Sequence, residues 1–533
     1  MRWLALLPIV SCTLGNPGGP GTHLHSPDSG AAPSPDGGTP PLPDGGSPPS
    51  DAGVAGTDAG AAVNFVTSIT KDGVTWTFAQ PILAGQFVNG DYFVVGPATV
   101  TAIDPPPMNA APYLNGSVVN LPTADAKSGF DQRYNDGVDQ SWWFSASDRS
   151  YPPLALTPGS ALVSAVSLPT CTAGACPGGG TCGGTNTCQL PEVMSSSNAA
   201  TSPVSSYSVL TVLSAVPAAD AFRPSYCDRT QSLYYAHNVQ RGLLQSLAPP
   251  NPSSTPALAQ FESWFRRPWI DTPGFGWDAP ASYMPAYGAQ VGSAVGFASL
   301  ALMLNVPAGQ KINLTNYLVQ YGIDLYGCVK AGYAWSAFGG HRSGRKLPII
   351  FAGVLLNEPA LQNVSAAYPD HFGEDMQSVY INKIPGGFTA AWQGATAIYG
   401  GHYGVHPDGT PVSAGLYGPY EQLQPAQWPL ISPTEQLGEA YRRCCTSMPW
   451  VGEALAMRML HAQTAWNYPA FFDYVDRWME EDDTVAVAAI KSQSGFDYSS
   501  SWERQKQTAQ YYAGEFGQPS FVDDMWQAYR ASY

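Results

Sequence analysis

Between Val63 and Val216, apolar and polar residues alternate in short runs with a period of two. That is the repeat of a strand with one buried face. Val74-Thr75-Trp76-Thr77-Phe78 alternates strictly, and Tyr92–Val95, Ala98–Ile103, Ser160–Leu168 and Ser206–Val212 continue the style. Turn pairs separate the runs: Asp72-Gly73, Gly90-Asp91, Asn115-Gly116 and Pro158-Gly159. Many short strands with regular turns predict a β-sandwich over residues 63–220. Past Phe222-Arg223-Pro224 the spacing becomes helical, first over Ser232–Leu247. Tyr287–Leu304, Leu314–Asp324, Lys346–Leu356, Trp450–Ala465, Ala470–Glu481 and Phe521–Ala531 follow. Val295–Leu304 and Leu347–Leu356 are apolar on nearly every side, so each must lie among other helices. Residues 221–533 therefore predict an all-α domain, a toroid-like ring of helical hairpins joined by Gly/Pro/aromatic loops.

Composition narrows the functional classes. The 533 residues carry a net charge of −16, only 12% charged side chains and 12% aromatics. An acidic chain disfavours nucleic acid and anionic lipid headgroups, both of which need a basic face. Abundant Trp and Tyr with little charge suits a protein that handles a polar ligand on aromatic surfaces.

The N-terminus speaks to location. Trp3–Val10 is a short apolar run after Arg2, and Ile9-Val10-Ser11-Cys12 follows the bacterial lipobox pattern. Residues 1–12 are expected to be a signal with Cys12 lipidated. Residues 13–62, rich in Pro, Gly, Ser and Asp, are expected to be a mobile tether. The expected location is the outer membrane or cell surface, with the lipid as the only membrane contact. With Cys12 set aside, eight cysteines remain. Cys171, Cys176, Cys182 and Cys188 sit in a Gly-rich insertion at 171–188 and predict two local disulfides. Cys444 and Cys445, being adjacent, are expected to reach different partners.

A β-sandwich followed by an (α/α) toroid on a secreted chain resembles, at the level of class, polysaccharide lyases and several glycoside hydrolases. The resemblance spans about residues 63–533. It implies a carbohydrate-active enzyme with a polysaccharide substrate. In such lyases an Asn or His commonly works with a Tyr, for which Asn238 beside His237 is one match.

The densest candidate chemistry is Gly339-Gly340-His341-Arg342-Ser343-Gly344-Arg345-Lys346, leading into an apolar helix. Glycines let backbone approach a ligand, and a helix start favours an anion. Arg342, Arg345 and Lys346 are expected to grip a sugar carboxylate, with His341 as general base. Phe372-Gly373-Glu374-Asp375 opens a second stretch, a short helix that brings Tyr380 along about one and a half turns later. Asp473, Asp476 and Arg477 share a helical face. Tyr287, Trp277 and Trp335 are candidate stacking platforms. No cofactor is expected, and His402 with His406 is the candidate pair for a divalent metal.

Two mechanisms fit these residues. A lyase removes the proton beside a uronate carboxylate while cations neutralise that carboxylate. A hydrolase sets two carboxyls about the glycosidic bond, drawn from Glu374, Asp375, Asp473 and Asp476. The basic loop favours β-elimination on an acidic polysaccharide. A non-catalytic glycan-binding or adhesion lipoprotein is the reading from another class.

Overall fold

The structure, a computed structural model, describes residues 60–133, 144–176, 181–182, 188–189, 203–271, 281–285, 287–413, 415–429, 438–495 and 520–533. The expected signal, Cys12 and nearly all of the expected tether lie outside these residues, as does Trp277. From Gly60 onward the chain is one compact unit.

An N-terminal curled, mixed β-sheet leads into a helical region. The strands are β1 (Val63–Lys71), β2 (Val74–Gln86), β3 (Tyr92–Val95), β4 (Ala98–Asp104), β5 (Ser117–Val119), β6 (Leu154–Leu156), β7 (Ala161–Ser167) and β10 (Val204–Leu213). Two-residue strands β8 (Thr181–Cys182) and β9 (Cys188–Gln189) pair within the cysteine-rich insertion. The eight longer strands, expected to divide between two layers, all join one sheet in the order β5-β7-β10-β3-β2-β4-β6, with β1 on β2. β10 and β3 run parallel; the other pairs are antiparallel. The curl begins in β2. Its first half pairs with β4 and its second with β3, and the register against β1 skips from Thr77 to Ile82. Pro81, which has no N–H to give a ladder, sits in that bulge.

Period two sorts the sheet's side chains. Leu162, Leu210 and Val212 point into a core enclosed by the curl, with Trp76, Val94 and Val100. Their neighbours Val163, Ala165, Tyr207 and Val209 point the other way, into a core shared with the helices. Sheet and helical region therefore share one interior. Arg223, with no exposed surface, locks the junction between Asp91 at 2.7 Å and Asp324 at 2.6 Å. The Cys227–Cys328 disulfide lies beside it in sequence.

Besides four short ones, the helices among the described residues include α1 (Leu258–Phe265), α2 (Gly288–Leu302), α3 (Ala308–Lys330), α4 (Lys346–Leu356), α5 (Gly373–Met376), α6 (Ser447–Met459), α7 (Pro469–Glu480), α8 (Thr484–Ser494) and α9 (Phe521–Tyr529). Every residue of α2 is buried, and all of α4 but Val354, as their all-round apolarity requires. Gly296 lets α2 approach α6: a Cβ there would stand 3.1 Å from the carbonyl carbon of Gly452.

Three expectations need correction. Ser232–Leu247 is two short 3-10 turns, because its backbone bonds distant partners. Ala236 N–H donates to Asp220, Gln240 to Leu355 and Leu247 to Met303. Helical character over Trp450–Ala465 breaks at His461, which adopts φ +54°. The helix carrying Glu374 stops at Met376, and Tyr380 belongs to a strand, β11 (Ser378–Tyr380), paired with β12 (Ala397–Tyr399).

Both insertion disulfides form, Cys171–Cys182 and Cys176–Cys188. Cys445 is disulfide-bonded as well, and the side chain of Cys444 lies outside the description. The separate partners expected for the two are corrected: Cys227 and Cys328 pair with each other, leaving neither for Cys445. Such bonds are compatible with an oxidising, non-cytoplasmic compartment. Among the described residues no helix is long and apolar enough to cross a membrane.

Candidate active site

Four chain segments meet around His341. Tyr287, in extended conformation, is the residue before α2. The loop 335–345 carries Phe338, Gly339, Gly340 and His341. The segment 400–405 carries His402 and Tyr403. A π-helical turn, Arg442–Thr446, follows Tyr441; such turns recur where a helix must re-aim a residue at a working site.

Close packing explains the glycine pair. A Cβ on Gly340 would lie 2.3 Å from the Cys445 carbonyl oxygen and 2.4 Å from Tyr287 Oη. Gly339 takes φ +52°, and a Cβ there would strike Tyr441 and His402. Gln377 ties the loops from below. Its Nε2 donates to the carbonyls of Gly339 and His402, each at 3.0 Å. Gln377 is an amide in a stretch whose acids draw the eye, so sequence reading passes over it.

The result is a ring cluster. Tyr287 meets His341 edge-on at 4.8 Å, and Phe338 stacks on His341 at 5.0 Å. Phe338 also touches His402 at 5.4 Å and Tyr403 at 5.5 Å. Tyr441 and Tyr403 meet His402 edge-on at 4.6 and 4.8 Å. The imidazoles and Tyr287 are buried, while Phe338, Tyr403, Tyr417 and Tyr441 are half-exposed around them. Burial holds the His402 imidazole down at a pKa of about 4, so it is neutral at ordinary pH.

The basic loop residues divide. Arg342 is half-buried and donates to the Ala334 carbonyl at 3.3 Å. Arg345 and Lys346 are wholly inside. Arg345 Nε donates to Asp271 at 2.8 Å, an acid that also accepts from Trp335 Nε1 at 3.2 Å. Lys346 Nζ reaches both oxygens of Asp375, at 2.6 and 2.7 Å, and lies over Trp466 at 4.3 Å. Burial pushes the ammonium down and the carboxyl up, and their contact opposes both shifts.

The acids considered for hydrolysis are engaged elsewhere. Glu374, without exposed surface, accepts from Gly344 N–H at 2.7 Å, and burial raises its carboxyl to about 7. Its other partner is Glu453 of α6, equally buried and raised well above the carboxylate range by desolvation and by Glu374. Glu453 was missed in the sequence; a single acid inside an apolar helix was the available signal. Asp473 accepts from Tyr380 Oη at 2.6 Å. Asp476 pairs with Arg458 and Arg530. These acids do not gather at one opening.

His402 and His406 separate: His406 is exposed and meets Asp370 at 3.2 Å. Among the described residues, the one group of three metal-type ligands within reach of each other is Cys171, Cys176 and Cys188, all in disulfides. His237 and Asn238 are exposed, with His237 Nδ1 on Asp220 at 2.7 Å. No protein-family model, no curated protein and no solved structure matches this chain.

Proposed function

We propose that the chain is a lipid-anchored, extracytoplasmic polysaccharide lyase. In this reading the helical region is an (α/α) toroid, and an acidic polymer is cleaved by β-elimination. The observation that carries it is the edge-on contact of Tyr287 with His341, flanked by half-exposed rings and Arg342. Arg342 faces the uronate carboxylate and makes the neighbouring carbon acid stronger. His341 takes that carbon's proton. The electron pair left behind becomes the new carbon–carbon double bond, and the glycosidic C–O bond breaks. The leaving oxygen takes its proton from Tyr287, which recovers one from His341. Hydrolysis is the weaker reading because Glu374 has no exposed surface, Asp375 is held by Lys346 and Asp476 is held in ion pairs.

The test is incubation with uronate and neutral polysaccharides. A lyase gives the ultraviolet absorbance of a conjugated, unsaturated uronate. His341→Ala and Tyr287→Phe should each abolish it while the fold persists. Reducing ends without that absorbance would assign hydrolysis; binding without products would make the protein a glycan receptor.

A further inference from the structure

A cleft of about 490 Å³ opens between the first halves of α1 and α3. It lies away from the ring cluster. Tyr287 precedes the start of α2, whereas Ala301, near its end, lines the cleft, and the helical rise sets these places about 20 Å apart. Residues facing the cleft recur at i and i+4 in both helices: Leu258 and Glu262 in α1, Gly309 and Asn313 in α3. Leu304 and Val306, from the chain after α2, extend the apolar wall. Small residues leave the space. Ala259 lines it, and a Cβ on Gly309 would meet nothing within 4 Å. Glu262 is the one ionisable side chain among the described residues of the lining. It is half-buried; burial raises its carboxyl and the Asn313 amide lowers it, and no Lys or Arg among the described residues pairs with it. A carboxylate drawn partly out of water without a cation is under-compensated, and an ammonium is a group that relieves it. The net charge of −16 draws cations toward the chain. No aromatic ring stands among the described lining residues, so the walls suit a methylene stem rather than the face of a sugar. A mostly apolar cleft of this size with a few polar groups is the usual form of a small-molecule site.

We propose that this cleft binds an aliphatic primary amine, with its ammonium on Glu262 and its methylene stem against Leu258, Ala301, Leu304 and Val306. The site is separate from the lyase reading, since it shares no residue with the His341 cluster. A free alkylamine and a lysine side chain of a partner offer the same chemistry, an ammonium on an apolar stem, and the experiment separates them.

The test is calorimetric titration of the full chain with hexylammonium, with hexanol and hexanoate, which keep the stem and change the head, and with Nα-acetyl-lysine methylamide. Hexylammonium should bind about tenfold or more tighter than hexanol, the ratio a charge-assisted hydrogen bond gives, and hexanoate should be weaker still. Glu262→Gln should remove that preference. Ala259→Phe, which fills the cleft and leaves the carboxylate, should weaken hexylammonium by about tenfold or more. Glu262 is half-buried and Ala259 exposed, so both variants should melt as wild type does. A lysine derivative that binds as tightly as hexylammonium or more tightly would assign the cleft to a partner's lysine, and a weaker one to a free amine; either sustains the site. No binding of hexylammonium, binding no tighter than that of hexanol or hexanoate, or full hexylammonium affinity in folded Glu262→Gln or Ala259→Phe would each overturn it.

Discussion

Glu374 and Glu453 lie near each other beneath the loop that carries His341, neither has any exposed surface, and the charge of Glu374 helps to raise the Glu453 carboxyl. Two acids that close in a dry interior cannot both ionise, so they hold a proton between them. Glu374 is raised to about 7 and Glu453 well above its usual value, both first by burial. Between the unfolded carboxyl range and these raised values, the folded protein binds more protons than the unfolded chain. Stability from this pair is thus full below the unfolded carboxyl value of 4.5 and is lost as pH rises from there through about 7. Glu453→Gln replaces the shared proton with a permanent amide donor. Melting followed from about pH 5 to pH 9 should show a fall in wild type, on the order of a few kcal/mol, that is much smaller in Glu453→Gln. Parallel curves would show that the pair does not share a proton.

A second buried network should respond to truncation at its centre. Glu421 accepts from Tyr399 N–H at 2.6 Å and from Arg477 at 2.5 Å, and lies 3.4 Å from Arg442. Arg442 also pairs with Glu439 and Glu481, and Arg443 with Glu439 and Asp483. These arginines belong to the π-helical turn, so the network fixes the turn that packs against Gly340. Removing Glu421 leaves guanidinium charge buried with less compensation. Glu421→Ala should cost about 3–5 kcal/mol in denaturant unfolding, well beyond Asp408→Ala on the exposed 405–410 loop.

The disulfide at the junction gives a third expectation. Cys227–Cys328 closes a span of 101 residues, running from the end of the sheet to α3. Under the loop-entropy account, a span of that length stabilises by about 4–5 kcal/mol. The double substitution Cys227→Ala with Cys328→Ala should show most of that loss in equilibrium unfolding. Loss of less than about 1 kcal/mol would mean that Arg223 and its two acids hold the junction without the disulfide.

Periodicity foretold much of the scaffold, and the particular residues show where it stopped. The helix at Lys346–Leu356 was legible because apolarity on every side leaves one environment for it. Ser232–Leu247 had helical spacing too, yet its amides go to Asp220, Leu355 and Met303, partners that local pattern cannot display. The same blindness affected the site. Arg345 and Lys346 read as a grip on substrate because a sequence shows charge but not its partner; Asp271 and Asp375, 74 and 29 residues away, take them up. His341 and its glycines were visible as a motif. Tyr287 was visible only as one aromatic among many, and the contact between them is tertiary.

The glycine beside that contact supplies the sharpest local prediction. A Cβ on Gly340 would overlap the Cys445 carbonyl oxygen and Tyr287 Oη, at 2.3 and 2.4 Å. One neighbour is backbone of the π-helical turn, which Glu439 and Glu421 hold through Arg442 and Arg443; the other is a buried tyrosine. Neither yields cheaply, so Gly340→Ala should cost about 1–3 kcal/mol by overpacking and push Tyr287 away from His341. Gly309→Ala, on the exposed first turn of α3 with nothing within 4 Å of the added carbon, is the matched control. It should melt at or slightly above wild type, because alanine suits a helix better than glycine. If Gly340→Ala lowers the rate of unsaturated-product formation more than its melting shift explains, while Gly309→Ala leaves that rate untouched, the Tyr287–His341 geometry is what the chemistry needs. Equal rates in all three proteins would remove that contact from the mechanism.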